Sequence, residues 1–279
     1  MTAGAQRCAR AVIEYEGTAF AGSQYQPNLR TVQGELEEAL NRLTGERVRI
    51  HLAGRTDAGV HATGQVVAFC LSRRRRGENL GWRELQERMN ALLPPDLAVR
   101  SLRSAPPGFD PRRQAIARVY RYRIRTGGAK RPLDRHRTFE IGERLDAAAM
   151  RAAALELLGE RDFAALGSDS RGSTRRRLSG IAIVRRGDLV EIRVTGNAFL
   201  RGMVRSVVAV LMEAGRGKLA PPDVAPLLKA GERALAGRAA PARGLTLERV
   251  IYLKTNRRGQ APEGRRIGDK AERTGEQAT

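Results

Sequence analysis

A single carboxylate, Asp57, stands in the stretch Ala53-Gly54-Arg55-Thr56-Asp57-Ala58-Gly59-Val60-His61-Ala62, with an arginine and a histidine close by. A carboxylate so placed can act as a nucleophile and form a transient covalent adduct. Such chemistry needs it ionised, so a countercharge is expected beside it. Arg205 is the candidate. It lies in Gly196-Asn197-Ala198-Phe199-Leu200-Arg201-Gly202-Met203-Val204-Arg205, which opens a predicted helix running to about Ala214 with Phe199, Met203, Val207 and Val210 inward. Arg205 then falls close to the buried face, where an unpaired guanidinium is costly. The two charges are expected to form one buried ion pair, with a guanidinium nitrogen within about 4 Å of a carboxylate oxygen. Tyr120 is the third candidate. The run Arg118-Val119-Tyr120-Arg121-Tyr122-Arg123-Ile124 alternates strictly and puts both tyrosines on one strand face. A tyrosine flanked by arginines is a base-stacking platform beside phosphate contacts. Taken singly, each residue also has a plain reading: a turn aspartate, a snorkelling arginine, a cross-strand packing tyrosine.

The elements that must hold these residues are legible around them. Strands are predicted over 9–15, 48–52, 65–71, 97–102, 118–124, 181–184, 189–194 and 245–253, the Asp57 loop falling between the second and third. Helices are predicted over 31–43, from Trp82 to Pro94-Pro95, and over 145–158 with Asp146 as cap and Gly159 as stop. The segment Ser104-Ala105-Pro106-Pro107-Gly108 reads as a boundary, giving an N-terminal domain of residues 1–105 that carries the Asp57 loop. A C-terminal domain, 106–254, carries the tyrosine and arginine blocks. Residues 255–279 are charged, poor in apolar residues and read as a disordered basic tail.

Lys and Arg total 51 against 30 Asp and Glu, a net charge of +21, so the chain attracts polyanions. Nucleic acid is the expected partner, because phosphates release counterions on binding. The run Arg73-Arg74-Arg75-Arg76 is a candidate phosphate-contacting loop. Zinc spacing, a P-loop and a dinucleotide fingerprint are all missing, and neither metal nor cofactor is expected. Cys8 and Cys70 lie far apart in the chain and suggest a reducing, cytoplasmic setting. No apolar run approaches the length of a membrane span.

Four blocks resemble the TruA-type tRNA pseudouridine synthases: 54–62, 118–122, 197–205 and Ala240-Pro241-Ala242-Arg243-Gly244-Leu245-Thr246-Leu247. The resemblance spans nearly the whole chain up to about Tyr252. It implies an α/β (α+β) pseudouridine synthase fold, two domains on mixed, mainly antiparallel sheets that meet at a catalytic cleft. It further implies a homodimer acting on tRNA, with uridine isomerised to pseudouridine at positions 38, 39 and 40 of the anticodon arm. Asp57 would then be the nucleophile, Arg205 its partner, and Tyr120 the residue against the base. Arg55 would fill the place of the extruded base. His61, Arg73 and Arg74 would add substrate contacts. Three departures stand out. Ser23 falls where the family has a tryptophan, Leu166 where it tends to have an aromatic, and Arg112-Arg113-Gln114 where it has Arg, an aromatic and Ser.

A family member that modifies another RNA is one alternative, and two rivals from other classes share some of these features. A non-catalytic basic RNA-binding protein explains the charge, but not the Asp57 loop together with Arg205. A metal-dependent nuclease built on Asp57, His51 and His61 lacks the several carboxylates such sites use.

Overall fold

The computed structural model describes residues 6–72, 80–128, 130–168, 172–231 and 239–253. Strand β1 (Gln6–Tyr15) alternates as a half-buried strand must, with Ala9, Ala11, Ile13 and Tyr15 inward. Helix α1 (Val32–Thr44) starts where the Thr31 hydroxyl accepts the Gly34 N–H, and buries Val32, Leu36, Ala39 and Leu40. The strand predicted over 48–52 is reduced to β2 (His51–Leu52). Helix α1 is the reason: Glu37 accepts the Ile50 N–H at 2.9 Å, and Gln33 donates to the Ile50 carbonyl at 3.2 Å. Backbone groups already satisfied by side chains do not join a ladder. Strand β3 (His61–Ser72) begins earlier than expected and takes His61 and Ala62 into the sheet. Helix α2 (Trp82–Leu92) buries Leu85 and Met89, packs against α1 and leads to β4 (Leu97–Ser104).

The second half follows β5 (Ala115–Thr126), the short β6 (Phe139–Ile141), α3 (Ala147–Leu155) and β7 (Gly159–Asp162). The Asp146 carboxylate caps α3 through the Ala148 and Ala149 N–H groups. A hairpin of β8 (Arg175–Arg186) and β9 (Leu189–Gly196) is longer than its apolar run suggests. Its extra residues, Arg175 to Arg177, are held because they pair with β7. Helix α4 (Met203–Gly215) packs on α3 and begins only after residues 197–202 have left β9 as a loop. That loop is tied down by Asn197, which exchanges bonds with Arg177, and by Arg201, which exchanges bonds with Ser168. Helix α5 (Val224–Ala230) and strand β10 (Leu245–Tyr252) complete the described chain.

Ten described strands form one mixed, mainly antiparallel sheet in the order β4-β1-β3-β10-β5-β9-β8-β7, with β2 beside β3 and β6 beside β5. The sheet is continuous across residue 105. Its seam is the parallel contact of β3 with β10, two residue pairs long: His61 with Thr246, and Ala62 with Leu247. Beyond those pairs Gly64 lets the strands stay close, since a Cβ there would stand 2.2 Å from the Glu248 carbonyl oxygen.

Two further points bear on the sequence reading. Cys8 and Cys70 are 62 residues apart but are register partners across β1 and β3, and they form a disulfide. The reading of two unrelated thiols is therefore corrected: antiparallel pairing brings together what chain distance separates. Among the described residues no helix is long and apolar enough to cross a membrane.

The seam gives a test. Gly64→Ala has to push β10 away from β3 and should destabilise the fold by about 1–3 kcal/mol, as overpacking does. Denaturant unfolding of the variant measures it.

Candidate active site

The Asp57 loop is bolted to its surroundings through its backbone. The Ala53 N–H reaches the Val66 carbonyl at 2.8 Å, and the fully buried Gln65 donates to the Gly54 carbonyl at 2.7 Å. Thr56 is held three ways. Its N–H meets the Ser23 hydroxyl at 2.8 Å, its carbonyl accepts the Ser23 N–H, and its own hydroxyl shares a 2.8 Å bond with Tyr15. Burial pushes the Tyr15 phenol up to about 12, so it stays a neutral hydrogen-bonding group. Asp57 then closes a turn, its carbonyl accepting the Val60 N–H. With Thr56 and Val60 turned inward, the Asp57 side chain is left half-buried at the surface of the loop.

Ser23 explains one departure from the family pattern. It is fully buried and serves as a backbone clamp on the Asp57 loop. At the third, Arg113 points into solvent, and the turn is held by the Asp110 carboxylate, which accepts the Arg112 and Arg113 N–H groups.

His61 lies at the far end of the loop and faces inward, 3% exposed. Its Nδ1 accepts the Gly17 N–H at 2.9 Å, and its Nε2 donates to the Arg243 carbonyl at 3.0 Å. Gly17 approaches so closely that a Cβ on it would stand 2.0 Å from the Val60 carbonyl oxygen. Both ring nitrogens are thus used by backbone, in a neutral imidazole. Burial pushes its pKa below the ordinary 6.5, against the Arg243 carbonyl and the nearby Glu16 carboxylate, which favour the charged form.

Strand β5 supplies the floor. Arg118, Tyr120 and Tyr122 share one face by the period of two, and all three are buried. The Tyr120 ring meets Phe199 edge-on, centroids 5.1 Å apart, and its hydroxyl lies beside Gly54. Burial raises the Tyr120 phenol well above its usual range. The Tyr122 hydroxyl donates to the Pro241 carbonyl at 2.8 Å and fixes the segment ahead of β10. The arginines flanking Tyr120 turn the other way. Arg121 and Arg123 pair with Glu191 and Glu248 on the opposite face, so they are not phosphate contacts beside the tyrosine.

Arg118 is the residue that sequence reasoning passed over. Its guanidinium donates to four carbonyls: Ala53 at 3.0 Å, Arg112 at 2.7 Å, Ala115 at 3.2 Å and Asn197 at 2.6 Å. It joins the start of the Asp57 loop, the entry to β5 and the exit of β9. The signal was available: a cation two residues before Tyr120 shares its inward face and must find acceptors there.

Asp57 and Arg205 come together although 148 positions separate them in the chain. Nη1 of Arg205 stands 3.6 Å from Oδ2 of Asp57. The pair is half-buried, at 24% and 27% side-chain exposure, not fully buried as expected. The Arg205 fork is divided as well. Its Nε donates to the Ala240 carbonyl at 2.6 Å, and only the Nη1 side faces the carboxylate. A second arginine, Arg201, stands on the other oxygen, with Nε 3.7 Å from Oδ1. Both contacts are longer than a hydrogen bond. Arg55 is exposed at the loop tip, two residues before Asp57. Arg73 and Arg74 lie outside the described residues.

Comparison with known proteins gives the class to which this sheet and site belong, the pseudouridine synthases, which are isomerases. A family model described as tRNA pseudouridine synthase matches residues 11–109 and 153–253, and the chain belongs to that family. It is 44% identical over 249 residues to the tRNA pseudouridine synthase A of Geobacter sulfurreducens, covering 88% of this chain and all of that protein. The protein of the same name in Geotalea uraniireducens is 42% identical over 86% of this chain and 98% of its own length. That of Chloroflexus aurantiacus is 44% identical over 86% and 87%. Among solved structures, a Cbf5-Nop10-Gar1 complex aligns over 74% of this chain and 54% of its own at 11% identity, with a TM-score of 0.31, too distant to inform the fold.

Two tests follow from this geometry. Arg118→Lys keeps the charge but lacks the planar fork, and should cost about 3 kcal/mol because buried carbonyls lose their donors. Chemical unfolding reads that loss. His61 contributes stability that is intact above about pH 6.5 and is lost as pH falls below it, since the unfolded chain takes up a proton that the folded ring resists. His61→Gln should therefore flatten the fall in Tm between about pH 6.5 and 5 relative to the parent protein.

Proposed function

We propose that the chain isomerises uridine to pseudouridine at positions 38, 39 and 40 of the tRNA anticodon stem and loop, with Asp57 as the nucleophile. The observation that carries this reading is the half-exposed carboxylate between Arg201 and Arg205, in a chain of this family. The reaction breaks the N1–C1′ bond, turns the uracil and forms a C5–C1′ bond. The proton leaves C5, and N1 gains one. Nothing is oxidised or reduced, and no second substrate enters. Asp57 forms the transient covalent adduct that holds the nucleotide between the two bonds.

The other residues take roles that follow from their placement. Arg205, anchored through Ala240, supplies the fixed countercharge. Tyr120 floors the base site, its hydroxyl protonated because burial disfavours the phenolate. Arg55, exposed at the loop tip, fills the gap left by the extruded base and offsets part of the unstacking cost. His61 acts through the loop it holds. Arg73 and Arg74 add phosphate contacts by charge alone. The protein works as a homodimer in the cytoplasm, where its tRNA substrate is found. The Cys8–Cys70 bond pulls against that compartment, because cytosolic buffers keep thiols reduced.

The test is pseudouridine mapping on bulk tRNA, with and without the protein, in chelator. New modification confined to positions 38–40 supports the reading, and modification elsewhere reassigns the target. Asp57→Asn should abolish product without weakening tRNA binding. Turnover above about a tenth of the parent rate would remove Asp57 from the nucleophile's role.

A further inference from the structure

The two arginines on Asp57 are not equivalent. Arg205 is 24% exposed, and its Nε is committed to the Ala240 carbonyl. The Arg201 side chain is 83% exposed and reaches Asp57 at 3.7 Å, too far for a hydrogen bond. Its backbone is nonetheless fixed, since Arg201 and Ser168 exchange N–H to carbonyl bonds of 3.2 and 3.1 Å. The preceding Leu200 is buried. The result is a long cationic side chain on a backbone-anchored base, standing beside Oδ1 of the reactive carboxylate. So exposed an ion pair is weakly held. A guanidinium is also matched in shape to a phosphate, and each phosphate contact releases a counterion.

We propose that Arg201 trades Asp57 for an RNA backbone phosphate when substrate enters, and so uncovers Oδ1 as the attacking oxygen. The proposal rests on the pseudouridine synthase reading and deepens it. In the free protein Arg201 covers Oδ1 and Arg205 flanks Oδ2. The phosphate next to the flipped nucleotide draws Arg201 outward, and Oδ1 faces the nucleotide while Oδ2 keeps its fixed partner. The ligand is the phosphodiester, so the contact is independent of base identity.

The test combines kinetics with tRNA binding as a function of salt. Arg201→Ala should raise KM with kcat nearly kept. It should also reduce the slope of log affinity against log salt by about 0.7–0.9, one phosphate contact. Arg201→Lys should restore most of that slope. Asp57→Asn should tighten binding more in the parent than in the Arg201→Ala background, because only the parent has the arginine to release. Two results overturn the proposal. A fall in kcat with KM and slope unchanged makes Arg201 a permanent countercharge of Asp57. No change in any of the three makes it a solvated surface residue. The binding arms need no turnover, so they can be read even if pseudouridine mapping fails. A melting curve for each variant checks that it has folded.

Discussion

One buried cation, with no carboxylate partner among the described residues, governs the geometry of this molecule. The Arg118 guanidinium is 8% exposed and is satisfied by four main-chain carbonyls from three chain segments. Taking a charge from water is costly unless its hydrogen bonds are made elsewhere. Each of those segments must therefore come within reach together, or none of the cost is recovered. Ala53 leads directly into the Asp57 loop, and Asn197 into the loop that carries Arg201 and ends at the helix of Arg205. The distance between the reactive carboxylate and its two arginines is thus set, at one remove, by a residue that touches none of them.

Charge is handled in two distinct ways. Structural arginines are saturated: Arg30 grips Asp96 with two bonds of 2.8 Å, and Arg125 holds Asp134 and Asp188 at 2.7 Å. The partners of Asp57 stand nearly an ångström further off. A carboxylate locked into a two-pronged pair has its lone pairs occupied, whereas one in a positive field without such bonds keeps them free for a new bond. The same +21 chain therefore uses arginine as mortar between elements and as loose countercharge beside Asp57.

Much of this was legible in the sequence, and what was missed has a physical pattern. Period-two and helical apolar spacing located the long strands and α1, α2 and α3, because those elements bury one face and the pattern records burial. The ends of elements were less visible. The strand before Asp57 was shortened by Glu37 and Gln33, and the start of α4 was delayed by Asn197 and Ser168. Capture of backbone groups by a side chain or by an isolated backbone bridge leaves no periodic trace. Asp57 and Arg205 stood out because each would be expensive alone. Arg118 was hidden by its own neighbours: in a run of alternating arginines, only the strand's face distinguishes the buried one from the two that meet glutamates outside. The cysteine pair was hidden by chain distance, which antiparallel pairing makes irrelevant.

The position of β10 has a consequence in time. It is the last described strand of the chain, yet it lies in the interior of the sheet, between β3 and β5. At about 5–20 residues per second, a ribosome needs roughly 13–50 s to reach Tyr252. Until then the stretches of β3 and β5 that β10 will cover have no partner, and open edges invite pairing with other chains. The segment before β10 arrives equally late. It brings Ala240 to Arg205, Pro241 to Tyr122 and Arg243 to His61. A nascent chain therefore carries the cationic surface that attracts RNA well before it carries an ordered catalytic loop, and the chemistry is withheld until β10 has been made.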